Sequence, residues 1–546
     1  MKKLNFDILY AFILLILLIA LKYSVLNLPY FWDGLNYMIP TIDYIYQNSI
    51  TPFLWDYNLG HPPFFFIFTG ILFKIFGDSP IVANSAILFF AFFTLFFTYL
   101  IGKELFNKKI GIIASLILFF TPMFFSYSAL LILAMPLTAL TIMTIYFVIK
   151  NKPLWYFIFG SLMILTETTG ILVILAIILF KLLIEKKFNK DLLYYCLPIL
   201  TFLLLIASNK IYYGNFFYPI GASLLQVNLI KNLFNFLLIL KTIFFDQYRW
   251  ILTSILLLSF INIKDLKKKN IKLLSLYLII SLLFFLFLYN LNIFTKFLIN
   301  YYPNINDYFN IVKSFNLLFS ILLLVLLLSY KRILEFVKNK KYLVLFIPFL
   351  FIILAHSFII PFAPRYILFA FPMIYLFFAF AINNISKKYT YIIAILIILS
   401  FSLNFTGDRD DVGFTLETNM EYVDFIKTHQ LAASYIEENF PDAVVLAGHP
   451  QSLELQYSYG KYVKKPIKVV AIEPFPGVSG YKKNYTEFLN PSKRQEIDIS
   501  QIDLYYHSEQ QYPVEPLKDL IKKLNLILIK RFEMNNKVTE IYLVNK

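Results

Sequence analysis

Apolar runs of about 20 residues recur through positions 1–407 of this chain, and lysine-rich loops separate them. Each run is long enough to cross the ~30 Å hydrocarbon core of a bilayer as a helix. This pattern restricts the fold more than any other feature, because backbone groups in lipid must be satisfied within the segment or its neighbours. The charged fraction is 15%, below the roughly 25% usual for soluble domains, and the mean hydropathy is +0.69. The fold class is therefore mainly α: a polytopic membrane helix bundle of about 13 spans, followed by a small C-terminal α/β extracytoplasmic domain. The net charge of +16 comes largely from lysines in the connecting loops. That is the positive-inside bias, so no nucleic-acid partner is inferred. The single cysteine, Cys196, lies in an apolar run and supports neither an intrachain disulfide nor a thiolate metal cluster.

Spans are expected at 7–25, 81–102, 110–126, 130–149, in two short runs within 154–184, and at 192–209, 250–263, 272–290, 313–330, 342–360, 366–383 and 390–407. Lys2 and Lys3 keep the N-terminus cytoplasmic, and no small-residue cleavage site follows, so the first run reads as a retained signal anchor. The loop over 30–63 is then external. Its segments 35–48 and 63–77 are too short or too mixed to span and read as interfacial helices. This assignment puts the dense lysine clusters on one side and the C-terminus outside.

Asp408-Arg409-Asp410-Asp411 marks a boundary between a bundle at 1–407 and a soluble domain at 408–546. Helical spacing covers 418–440, and strand-like runs follow at 444–447, 468–472, 526–529 and 540–544. Glycosylation-type sequons begin at Asn404 and Asn484, and the domain carries no nucleotide-binding glycine motif or His/Cys metal spacing.

Asp33 is the leading candidate for chemistry. It sits in the external loop among aromatics, where a carboxylate can act as general base toward an acceptor hydroxyl; as Asp33-Gly34 it also suits a plain turn. His61 precedes Pro62-Pro63 at a helix start, where free N–H groups favour a phosphate. Arg365 begins a span at the external face. An arginine there costs about 2.5–3.5 kcal/mol at mid-bilayer unless it snorkels or finds a partner, and a lipid-linked phosphate or an ordinary headgroup would serve. Arg249 is a weaker version of the same case. Glu167 lies between two short apolar runs and either faces a polar cavity or ends a helix. His356 reads as structural.

Several motifs occur in a characteristic order: Trp32-Asp33-Gly34 with Tyr37, Gly60-His61-Pro62-Pro63, Lys103 to Lys108, Leu165 to Gly170, Tyr212-Tyr213-Gly214-Asn215, and Pro364-Arg365-Tyr366 with Pro372. In this order the chain resembles the GT-C glycosyltransferases of the protein-mannosyltransferase and aminoarabinose-transferase type, over most of 1–407. The resemblance implies a membrane glycosyltransferase of the cell envelope that transfers a hexose or pentose with inversion. It implies a polyprenyl- or dolichyl-phosphate-sugar donor, a protein, lipid or glycan acceptor, and an external active site in the cell membrane. Asp33 matches the first-loop base, while His61 and Arg365 match positions near the lipid phosphate. Relatives often carry an acid where the chain has Ala134, and a lysine where it has Glu167. The missing acid leaves open a non-catalytic relative that binds a lipid-linked glycan or a partner; a lipid-linked glycan transporter is a further alternative. No cofactor is fixed, and a divalent cation stays open.

Overall fold

The computed structural model describes residues 6–48, 60–184, 190–218, 227–260, 339–359, 363–406, 416–472, 499–508 and 521–545. The runs expected at 272–290 and 313–330, the boundary at 408–411 and the Asn484 sequon lie outside the described residues.

The first helix, α1 (Phe6–Lys22), buries Tyr10, Leu14, Leu18 and Lys22. These recur every fourth position, one face of a 3.6-residue helix, while Ile8, Phe12, Ile16 and Ile19 point outward. Both first-loop segments are helical: a π-helical turn at Gly34–Met38 runs into α2 (Ile39–Gln47), and the apolar α3 covers Phe64–Phe76. α4 (Pro80–Leu105) starts on a proline in its first turn, and Asn107 caps α5 (Lys108–Phe119) by accepting the Ile110 N–H at 3.0 Å.

The run expected as one span over 110–126 is broken. Thr121 precedes Pro122 and takes an extended conformation, so α5 ends at Phe119 and a short helix, α6 (Pro122–Tyr127), follows. Next come α7 (Ala134–Ile149), α8 (Pro153–Ile164), α9 (Ile171–Leu179) and α10 (Lys190–Tyr213). The expected break between the two short runs is a 3₁₀ turn at Thr168–Gly170.

A second difference lies between the spans expected at 192–209 and 250–263, where α11 (Leu229–Phe244) forms. Its polar residues masked a helical face: Asn232, Asn235, Ile239, Thr242 and Ile243 are all buried. Asn235 donates to the carbonyls of His356, Ser357 and Ile359 at 3.1, 3.1 and 2.7 Å. It thereby satisfies groups left open at the end of α13 (Lys340–His356). His356 is buried there, with Nδ1 2.8 Å from the Ile352 carbonyl. Among the described residues the remaining bundle helices are α12 (Arg249–Phe260), α14 (Phe371–Ile385) and α15 (Thr390–Ser402). Four described stretches, Phe6–Val25, Pro80–Leu105, Leu192–Tyr212 and Pro364–Ile385, are long and apolar enough to cross a membrane. The molecule is an integral membrane helix bundle.

Beyond the bundle, α16 (Glu421–Asn439) and α17 (Gln451–Gln456) pack on a five-stranded sheet of order β2-β1-β3-β5-β4. β1 (Val444–Gly448) pairs in parallel with β2 (Lys468–Ile472) and with β3 (Leu504–Ser508). β4 (Leu526–Met534) and β5 (Lys537–Val544) form an antiparallel hairpin beside β3. Its turn is Asn535-Asn536, both at positive φ, as a two-residue hairpin of this twist requires. β3 and α17 are additions to the sequence expectation. His429 ties these elements together: Nδ1 meets both Glu454 oxygens at 2.9 Å and Nε2 meets Ser508 Oγ at 3.0 Å, all three residues being buried.

This sheet region grips the first loop. The Tyr30 N–H donates to the Gly460 carbonyl at 3.3 Å, the Tyr462 hydroxyl donates to the Tyr30 carbonyl at 3.1 Å, and Lys461 pairs with Asp78 at 2.7 Å. Phe31 packs its ring on Tyr422 and Phe425.

α4 and α5 cross with almost no space between them. A Cβ on Gly111 would lie 2.3 Å from the Tyr99 carbonyl oxygen, and one on Gly102 would lie 2.4 Å from Gly111 Cα. Small residues permit such close backbone approach between membrane helices. Gly111→Val should therefore force the pair apart and destabilise the protein by about 1–3 kcal/mol, read as a lower melting temperature in detergent. An unchanged melting temperature would contradict this packing.

Candidate active site

The first loop is wound tightly where it meets the C-terminal region. Trp32 has φ +37°, a left-handed value costly for a bulky residue. The surroundings hold it there: the indole packs edge-on against His449 at 5.9 Å, and the Asn36 N–H donates to the Trp32 carbonyl at 2.7 Å. Asn36 Nδ2 also lies 3.4 Å from His449 Nε2. Burial pushes the His449 imidazole down to about 4, so it is neutral at physiological pH. The strained turn is what delivers Asp33, the next residue, to the bundle.

Asp33 Oδ2 meets Arg365 Nη2 at 3.1 Å. Arg365 is supplied by a 3₁₀ turn, Pro364–Ala370, which leads into α14. Its other terminal nitrogen, Nη1, is bonded to Glu417 Oε1. One guanidinium thus bridges two carboxylates. Glu417 sits in a 3₁₀ turn, Leu416–Thr418, pinned by the Ser126 hydroxyl, which donates to the Glu417 carbonyl at 2.6 Å. Burial pushes the Glu417 carboxyl up to about 7, although Arg365 pulls the other way.

A second pair lies beside the first. His61 Nδ1 is 3.0 Å from Glu167 Oε2, and the imidazole stacks on Tyr37 with ring centres 4.9 Å apart. The Phe64 N–H donates to the Leu165 carbonyl at 2.8 Å, which fixes the start of α3 against the α8–α9 break. That N–H, expected to be open to an anion, is therefore already used. Burial works against a charged His61, but Glu167, with Asp33 beyond it, outweighs burial and holds the imidazole above its ordinary value.

Asp33, His61, Glu167 and Arg365 thus come together, with Tyr37 within electrostatic reach of Asp33, Arg365 and Glu167. Arg249 lies one step behind. It is buried, with Nε donating to the Thr242 carbonyl at 2.7 Å and Nη1 to Gln247 Oε1 at 2.8 Å, and its guanidinium lies over Phe371. Gln247 in turn donates to the Thr418 carbonyl at 2.8 Å, so Arg249 supports the turn that carries Glu417. Sequence reasoning missed Glu417, and gave no role to Tyr127, Tyr37 or Tyr366. Among the described residues no three His, Cys, Asp or Glu side chains gather as metal ligands. Asp33 and Glu417 share one cation and Glu167 faces His61, a donor set that does not fit a divalent cation.

The folded His61 value lies above the ordinary ~6.5, so its pair with Glu167 contributes fully below that pH. The contribution is lost as pH rises through the raised value. Glu167→Gln should cost about 1 kcal/mol of stability near pH 6 and progressively less at alkaline pH. Thermal melts across this range test it; a pH-independent loss would contradict the charged pair.

Residues 60–213 match the family model for dolichyl-phosphate-mannose-protein mannosyltransferases. No curated protein matches the chain. Among solved structures, the chain is similar to ArnT from Cupriavidus metallidurans bound to undecaprenyl phosphate, with TM-score 0.53, 10% identity, and 97% of this chain and 98% of that chain covered. The apo form of the same ArnT gives TM-score 0.51 and 9% identity, with 98% of each chain covered. Residues 60–213 are thus similar to the protein-mannosyltransferase family, and the chain as a whole shares the ArnT fold.

Proposed function

We propose that the protein is a membrane glycosyltransferase that moves a sugar from a polyprenyl-phosphate donor to an acceptor hydroxyl, with inversion, at the external face of the cell membrane. The observation that carries this reading is the Asp33–Arg365 pair at 3.1 Å. It sets a proton acceptor and an anion-binding cation side by side where a span begins. The undecaprenyl phosphate in one of the ArnT structures supports the donor class.

In this mechanism the acceptor oxygen attacks the anomeric carbon as Asp33 takes its proton. The bond between that carbon and the donor phosphate oxygen breaks on the opposite face, and the electron pair leaves with the phosphate. Arg365 and His61 stabilise the charge that grows there, an effect strongest in a site with fixed donors and little water. Glu167 favours the protonated form of His61 for this role. The lipid tail lies between the apolar helices, and the N-terminus is cytoplasmic with the sheet region outside.

A second reading is a relative that binds the lipid-linked glycan without transfer. Ala134, standing where relatives often carry an acid, favours it. Asp33→Asn separates the two. Under the transferase reading it should lower transfer from a radiolabelled polyprenyl-phosphate sugar by roughly 10²–10⁴-fold, in a protein that still folds through the Arg365–Glu417 pair but melts at a lower temperature. A fully active Asn variant would remove Asp33 as the base, and a wild-type protein that binds the donor without turnover would favour the second reading.

A further inference from the structure

We propose that Arg365 Nη1 and the Tyr127 hydroxyl form the subsite for the donor's phosphate, and that Glu417 fills this subsite in the empty protein and yields it to the incoming anion. The proposal rests on the donor class proposed above.

The geometry begins with the fork of Arg365. Nη2 is taken by Asp33, and Nη1 by Glu417. A phosphate that approaches this guanidinium must compete with one of them. Asp33 is delivered by a strained turn locked between the bundle and the C-terminal region. The backbone of the Glu417 turn is held by Ser126 and Gln247, so only the carboxylate arm need swing aside, whereas moving Asp33 would undo the strained turn that delivers it.

Tyr127 supplies the independent observation. Its ring is fully buried at the end of α6, and its hydroxyl has no hydrogen-bond partner among the described residues. It lies within electrostatic reach of Glu417, Arg365, Asp33 and Tyr366. A buried hydroxyl without a partner costs roughly 1–3 kcal/mol, and a phosphate oxygen beside Arg365 would give it one. Tyr127 comes from the second external turn and Glu417 from the connector to the sheet region, so the subsite joins parts of the chain far apart in sequence.

Charge balance explains why Glu417 can leave. With Asp33 and Glu417 both ionised, Arg365 is over-compensated by one negative charge before any phosphate arrives. The Glu417 carboxyl lies near 7, so protonation costs little at physiological pH and frees Nη1. The charged and titratable groups facing Glu417 are Arg365 and Asp33, with Tyr127 and Tyr366 beside them. Arg249 approaches through Gln247 and Thr418, and Lys22 lies beyond Phe125 and Met420.

The test is equilibrium binding of undecaprenyl phosphate to the full chain in nanodiscs between about pH 5.5 and 9, with inorganic phosphate as competitor. Wild-type affinity should fall by up to about tenfold per pH unit above about 7, beyond any fall shared with Glu417→Gln. Glu417→Gln should bind as wild type does at pH 5.5 and more tightly at pH 8.5. Tyr127→Phe should bind about tenfold more weakly throughout. Competition by millimolar inorganic phosphate means that the subsite reads the headgroup alone; resistance means that the polyprenyl tail is also required; both agree with the proposal. Equal affinities for wild type and Glu417→Gln at every pH, or full affinity in Tyr127→Phe, would overturn it and leave the transferase reading standing. The expected pattern without sugar transfer keeps the subsite and removes the transferase reading. Absence of lipid-phosphate binding in all three proteins overturns both.

Discussion

Everything at the site depends on one cation held at the edge of the hydrocarbon. Arg365 begins a span, and an unpaired guanidinium there would be costly. Asp33 and Glu417 remove that cost from two directions. Breaking such a half-buried pair on one side leaves a charge stranded, and that is more damaging than never having built it. The arrangement therefore fixes more than itself. It requires the first loop, the start of α14 and the connector to the sheet region to converge on one point.

The C-terminal region shapes the site from outside the bundle. It grips the first loop through Tyr30, Phe31, Trp32 and Asn36, and it holds Trp32 in a left-handed turn that would otherwise relax. Strain of this kind persists only where neighbouring packing over-determines it. The sheet and its helices are thus a structural wall of the site. His429, Glu454 and Ser508 keep that wall rigid from within its core.

The bundle was legible because the run length needed in lipid leaves few alternatives, and Asp33 and Arg365 stood out as charges where polar sequence meets apolar sequence. Their pairing was not legible, nor was that of His61 with Glu167, since each pair joins positions far apart in the chain. Glu417 carried no local signal, because Leu416-Glu417-Thr418 resembles any polar linker. α11 was hidden by its asparagines, which look like loop residues until the end of α13 appears beside Asn235 to accept its hydrogen bonds. The single expected span over 110–126 failed at Thr121-Pro122, where the proline's effect on the preceding residue outweighed hydrophobic continuity.

A structure of the full chain with a polyprenyl phosphate bound in a bilayer mimic tests the central claim most directly. The phosphate should lie within hydrogen-bond distance of Arg365 Nη1, with Asp33 still on Nη2 and Glu417 turned away. A lipid phosphate seated elsewhere in the bundle, with Arg365 still bridging both carboxylates, would contradict it.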